Sequence, residues 1–346
     1  MNKNNTLGGK RSSGLDIIKS LAILFVVGVH FFLNTKYYTT NLNSSNLYIQ
    51  VCTQQLFLSC IPLFLMSTGY LNNNTEISSN YFKKILPILG IYLLYSIPAL
   101  LYRYSINEIP LDISLWIKQF FTFKGHRYSW YINLYFGLFL LIPFFNRMYS
   151  SLLNKKEKFT LIVILLALTT IKGIPNYWAS IYPLAYFYIG KFIKEFQPSL
   201  KTNKCIFYLI AIILLQATIE YSVASEGVYS NYFNHYASIF RAIQSILIFI
   251  MLYKKDIKNA RLKSLVTNIS TSTLDIYLAS FLTDRILYKP FKALGLNQET
   301  MFLFLPILVL SSFTLAYIIA KIRINYIKLE SKNKNNNIDK IKKQVA

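Results

Sequence analysis

The sequence predicts an all-α polytopic membrane protein, a bundle of about ten transmembrane helices with both termini in the cytoplasm. Three observations carry this expectation. First, apolar runs of near-transmembrane length recur along 346 residues that are 54% hydrophobic and 16% aromatic, and a hydrocarbon core of about 30 Å takes roughly 20 apolar residues to cross. Second, the polar/apolar alternation of a membrane β-barrel is missing. Third, the net charge of +23 lies in short loops between the apolar runs, where basic residues set orientation and meet lipid headgroups. A nucleic-acid surface would instead gather those charges on one soluble face, so that class is excluded.

Residues 1–13 form a polar, basic cytoplasmic tail, 14–328 the transmembrane domain, and 329–346 a Lys/Asn-rich cytoplasmic tail expected to be disordered. The spans are expected near 14–34, 50–71, 84–104, 129–146, 159–172, 177–193, 205–222, 235–253, 270–288 and 299–322. No small-residue cleavage site follows the first run, which therefore reads as a retained span. Pro62 and Gly69 predict a kinked second span packed closely on a neighbour. Lysine and arginine concentrate in the N-terminal tail, in the loops 72–84, 147–158, 191–204 and 254–263, and in the C-terminal tail. The alternate loops are poor in them, which places both termini inside. The exception is 103–128, an outer segment with Arg103, Lys118, Lys124 and Arg127 that is either re-entrant or puts its charges to use. Cys52, Cys60 and Cys205 lack metal or redox spacing and read as small hydrophobes, and no metal is expected.

The first span, GLDIIKSLAILFVVGVHFFLN, holds the main candidates. Ionisable groups in such a helix are costly and face a bundle interior or a wet cavity. His30 is either a helix–helix hydrogen-bond donor or a general base towards the outer side. Lys19 lies eleven positions earlier, about 16 Å along a helix and on roughly the same face. It either snorkels to the inner interface or, paired with Asp16, holds the phosphates of a ligand entering from the cytoplasm. His126, Arg127, Trp130 and Tyr131 cluster at the outer mouth of the fourth span, as an interfacial turn or as contacts to a polar acceptor. Asp275 lies in an apolar run and wants a cationic partner, for which Arg241 is the candidate. Asp284 and Arg285 read as the outer end of the ninth span. Tyr70 and Tyr277 are further candidates for orienting an acceptor.

GLDIIKSLAILFVVGVH resembles the opening helix of the membrane-bound acyltransferase 3 family, in which an Arg precedes a His with ten residues between. CIPLFLMSTGYL, YSWYINLYFGLFLLIPFFN and NISTSTLDIYLASFL are similar to later family segments, in family order, over about 14–282. The resemblance implies a ten-helix bundle that moves an acyl group, usually acetyl from cytoplasmic acetyl-CoA, onto cell-surface glycans. On this sequence His30 takes the catalytic histidine's place, and Lys19 replaces the arginine, keeping the charge but not its fork. Lys83 and Lys84 fall at the family's acyl-CoA motif, of which only Lys84 matches a motif position. Ser280 stands where many members have a second histidine. The implied protein is an O-acetyltransferase of the bacterial plasma membrane, with acetyl-CoA as cosubstrate and a glycan or lipid-linked sugar as acceptor. The rival class is a flippase for a lipid-linked sugar, and a third reading is an inactive assembly partner.

Overall fold

The computed structural model describes residues 11–171, 176–224, 227–229 and 236–345. Among these the chain is helical, and the one β contact is an isolated bridge between Asn41 and Val228. The helices are α1 (Ser13–Asn34), α2 (Ser45–Phe57), α3 (Cys60–Leu71), α4 (Ser79–Phe82), α5 (Ile85–Ser105), α6 (Ile113–Phe121), α7 (Trp130–Ser150) and α8 (Lys155–Thr170). They continue as α9 (Tyr182–Phe196), α10 (Thr202–Val223), α11 (Ile239–Leu252), α12 (Ala260–Thr271), α13 (Thr273–Ala293), α14 (Gln298–Leu303) and α15 (Leu305–Val345).

The axis of the bundle is α1. Ser12 caps it by accepting from the Leu15 N–H, and α2, α3, α11, α12, α13 and α15 surround it. Within it Ile18, Ala22, Ile23, Val27, Phe31 and Phe32 are fully buried. Five stretches are long and apolar enough to cross a membrane: Ser13–Asn34, Ser45–Leu71, Ser79–Ser105, Thr202–Val223 and Leu305–Ile327. The other five expected spans fall on helices that miss this measure. With 16, 15 and 14 residues, α8, α9 and α11 are short. Tyrosines and asparagines dilute α7, while α13 carries Asp275, Asp284, Arg285, Lys289 and Lys292. No Gly or Pro follows Pro306, and α15 continues as helix through the Lys/Asn-rich tail.

The second span, Ser45–Leu71, is disturbed at Leu58 and Ser59, which keep helical backbone angles while the regular hydrogen bonding lapses. Pro62 has no N–H to return to the Leu58 carbonyl, and α2 stops at Phe57. The carbonyls freed there are covered from α11. Arg241 donates to the Gln55 carbonyl and side chain, and Gln244 donates to the Gln55 carbonyl (2.9 Å) and Ser59 Oγ (2.7 Å). The predicted Arg241–Asp275 pair therefore does not form, because the negative end of α2 occupies this buried guanidinium. Gly69 serves a close crossing: a Cβ there would run into the Phe187 carbonyl oxygen on α9, and one on Gly190 into that of Met66 on α3.

Contacts gather the loops at two ends. At one, Ser13 bonds Asp256 (2.7 Å), Lys158 pairs with Glu195 (2.7 Å), and Tyr253 donates to the Pro198 carbonyl (2.6 Å). Buried Lys191 and Asn146 hold the 72–75 turn at the same end. At the other, Ser44 bonds Glu299, Gln50 bonds Gln298 (2.8 Å), and Leu42 N–H bonds the Gly227 carbonyl. The lysine-rich loops thus share one end.

Candidate active site

Segment 122–129 turns back from the amphipathic helix α6 into the bundle. Two of the basic residues expected on the outer segment 103–128 are matched locally. Arg103 and Arg127 both grip Glu108, at 2.8 and 2.6 Å. Partial burial would raise the Glu108 carboxyl, but the two guanidiniums outweigh it and hold the group below the usual carboxylate range. Inside this turn His126 is 1% exposed. Its Nδ1 accepts from the Tyr128 N–H (3.1 Å), so the tautomer must donate from Nε2 to the Leu278 carbonyl (2.9 Å). Burial is the main cause that pushes its pKa down to about 4. Both ring nitrogens are occupied by backbone, which leaves none to offer an acceptor hydroxyl.

The turn exists to deliver Tyr128. Its ring lies against His30, with centroids 3.8 Å apart, and its hydroxyl donates to Asp284 Oδ2 at 3.0 Å. Asn34 donates to that hydroxyl (3.1 Å) and to the His30 carbonyl (2.9 Å), closing the end of α1. Asp284 on α13 is fully buried and accepts from Ser312 of α15 at 2.5 Å. It also lies 3.2 Å from His30 Nδ1. Ser280 Oγ is 3.3 Å from the same nitrogen, but its hydrogen is directed to the Tyr277 carbonyl at 2.7 Å. Nδ1 therefore faces two acceptors and must carry the ring proton. The Nε2 lone pair is left without a hydrogen bond from any described residue, and this arrangement can accept a proton.

A cavity of about 320 Å³ lies among α1, α3, α5, α7 and α13. Its polar end holds Lys19, Thr68, Asn72 and Thr273; Val26, Phe64, Tyr131 and Tyr277 line the apolar part. Val26 is one turn before His30 on α1, about 6 Å along the axis. Tyr277 lines the cavity, and its ring lies 6.3 Å from that of His30, while its hydroxyl donates to the Tyr128 carbonyl. Tyr277 is thus a wall shared by the cavity and the histidine. Thr273 opens α13, so the positive end of that helix sits beside Lys19.

The expected residues divide between these places. His30 and Tyr277 meet, and Lys19, Tyr131 and Tyr277 line one cavity. Lys84 is exposed one turn before the cavity-lining Ile88, with Lys83 exposed next to it. Asp16 is not the partner of Lys19. Arg11 holds it with two bonds (2.6 and 2.7 Å), and Thr267 and Ser270 of α12 complete its shell. Lys19 makes no ion pair among the described residues. Asp275 is gripped by Arg323 of α15 and accepts from Tyr95 at 3.1 Å. Trp130 stacks on Tyr236, Tyr70 lies under Lys194 beside Tyr253, and Arg127 stays in the Glu108 cluster, all away from His30. Asp284, Tyr128, Asn34 and Ser312 were not expected at the site. One signal was available: Asn34 and Asp284 each lie four positions after a site residue, His30 and Ser280, and so on the same helix face. Among the described residues no cluster of three His, Cys, Asp or Glu is placed to hold a metal.

No curated protein and no solved structure matches the chain. The family described as an acyltransferase domain matches residues 12–321, a stretch that includes every residue of the His30 network and the cavity. The chain belongs to the acyltransferase 3 family.

Proposed function

We propose that this chain is a ten-pass O-acyltransferase of the bacterial plasma membrane, with both termini inside, that moves acetyl from acetyl-CoA to a hydroxyl of a surface glycan. The observation that carries the reading is the His30–Asp284 pair, with Nε2 left free, one helical turn beyond a cavity that begins at a lysine. The gathering of the lysine-rich loops at the end nearest Lys19 supports the orientation, since basic loops stay in the cytoplasm.

In this mechanism the donor's phosphates meet Lys19, the N-terminus of α13 and the nearby Lys84, while its thioester arm lies along the cavity. The Tyr277 side chain yields, and the thioester carbonyl comes up beside His30. Nε2 takes the proton of the acceptor hydroxyl as its oxygen attacks that carbonyl. The C–S bond then breaks, and the CoA sulfur recovers the proton from Nε2. While His30 is doubly protonated, Asp284 balances its charge, fixed in turn by Tyr128 and Ser312.

The test is His30→Ala at unchanged membrane abundance, read as O-acetyl on the purified glycan by NMR and as CoA release from acetyl-CoA. Loss of both supports the reading; unchanged acetylation removes His30 from the chemistry. For the orientation, a cysteine at Ser199 should be labelled only from inside and one at Asn107 only from outside. The reverse pattern overturns it.

A further inference from the structure

A second concave site lies away from the cavity and shares no residue with it. It is a groove of about 510 Å³ between α12 and α15, lined by Arg261, Ser264, Leu265, Asn268, Tyr317 and Lys321, with Ala260 at its edge. The α12 residues recur at helical spacing and form one face. The opposite face is spent on α1, through Thr267 and Ser270 to Asp16 and the Val266 carbonyl to Ser20. The neighbouring charges are otherwise engaged: Lys263 pairs with Asp256 and Arg323 with Asp275. Arg261 and Lys321 make no ion pair among the described residues, and Lys321 has only the Tyr317 ring beneath it, 6.0 Å away.

Two unpaired cations over a hydroxyl, an amide and a phenol describe a site for a phosphate monoanion. The surroundings say what carries that phosphate. Tyr317 and Lys321 lie near the end of the apolar stretch Leu305–Ile327, and Arg261 lies beside Lys263 and Asp256 at the lysine-rich end of the bundle. Ile318 and Ile322 stand exposed on α15, and Leu262 and Leu265 on α12. We infer that this groove binds an anionic phospholipid of the inner leaflet, its phosphate between Arg261 and Lys321 and its acyl chains along the exposed flank of α15. A bound lipid bridges α12 to α15 and so braces the helix that holds Asp16 at the foot of α1.

The test uses the purified full-length chain in neutral detergent, with lipid binding read by native mass spectrometry and by thermal unfolding. Dioleoyl phosphatidylglycerol should bind and raise Tm, whereas dioleoyl phosphatidylcholine and inorganic phosphate at equal concentration should not. Each cation near an anionic lipid is worth roughly fivefold in affinity, so Arg261→Gln with Lys321→Gln should weaken phosphatidylglycerol binding by about 25-fold. The single variants, each about fivefold weaker, serve if the double variant does not fold. Undiminished binding in the variants overturns the site. An equal response to inorganic phosphate overturns the lipid as its occupant.

Discussion

Asp284→Asn tests the site most directly, because it keeps the shape of the side chain and removes only charge and acceptor capacity. In the native site Ser312 donates to one carboxylate oxygen, while Tyr128 donates to the other, which also faces His30 Nδ1. An amide cannot accept at both places. If its nitrogen faces His30, Nδ1 must give up its hydrogen, the proton moves to Nε2, and the base is lost. If its oxygen faces His30, the tautomer survives, but the imidazolium formed during transfer has no counter-charge. At 3.2 Å and an effective dielectric near 20, that counter-charge is worth at most about 5 kcal/mol. A loss between about 10² and 10⁴ in transfer rate is therefore expected. The assay is transfer of radiolabelled acetyl from acetyl-CoA to membrane acceptor, alongside the unfolding temperature of the purified variant. KM for acetyl-CoA should hold within about threefold, and the double variant with His30→Ala should be no slower than His30→Ala alone, since the two groups act as a unit. A variant that keeps more than a third of the native rate would refute the pairing as part of the chemistry.

Lys19→Met should raise KM for acetyl-CoA by about fivefold to tenfold while leaving kcat nearly unchanged, because a phosphate contact far from the thioester adds binding without favouring the transition state; Lys19→Arg should restore most of it. Gly190→Ala should lower stability by about 1–3 kcal/mol through the clash with the Met66 carbonyl, read as a fall in Tm. Gly90→Ala and Gly137→Ala, which meet open space inside helices, should instead be neutral or stabilising by up to about 1 kcal/mol. His126 supplies a pH dependence. Its folded pKa, near 4, lies below the ordinary 6.5, so between those values only the unfolded chain takes up the proton. The stability it contributes is full above about pH 6.5 and drains away as pH falls towards 4, by about 3 kcal/mol in all. His126→Gln should flatten that part of the Tm-against-pH curve, measured from about pH 7 to about pH 5.

How far the sequence discloses this arrangement depends on how local each feature is. The first span shows its role openly, since an apolar membrane helix that carries Asp16, Lys19 and His30 has to turn those groups towards protein. Pro62 marks the disturbance in the second span, but the cover of its freed carbonyls by Arg241 and Gln244 was not legible, because those residues lie too far along the chain for any local pattern to bring them in. The odd charges of 103–128 were legible as odd, while their resolution through Glu108 required the fold. His126 and Trp130 bracketed the right turn, yet Tyr128 between them makes the contact, because only the backbone path decides which of five neighbouring aromatic and basic side chains reaches His30. Five expected spans fell on helices too short or too polar to count as membrane-length, for periodicity marks a buried helix without reporting whether lipid or protein buries it.

The two carboxylates of α13 show most clearly what separates structure from chemistry here. Asp275 and Asp284 are both almost completely buried in one helix, and in sequence they look alike. Asp275 is locked by Arg323, whose guanidinium keeps its proton at any accessible pH, and that pair ties α13 to α15, with Tyr95 of α5 bonded to the same carboxylate. Asp284 is bonded by no lysine or arginine among the described residues; its one basic partner there is His30. A buried carboxylate without a fixed cation is costly, and two hydroxyl donors offset only part of that cost. The fold sets the carboxylate against a histidine, whose second ring nitrogen is hydrogen-bonded by no described residue. That contrast, a fixed cation beside Asp275 and a histidine beside Asp284, is the reason the proposed chemistry is assigned to His30 and not to the Asp275 pair.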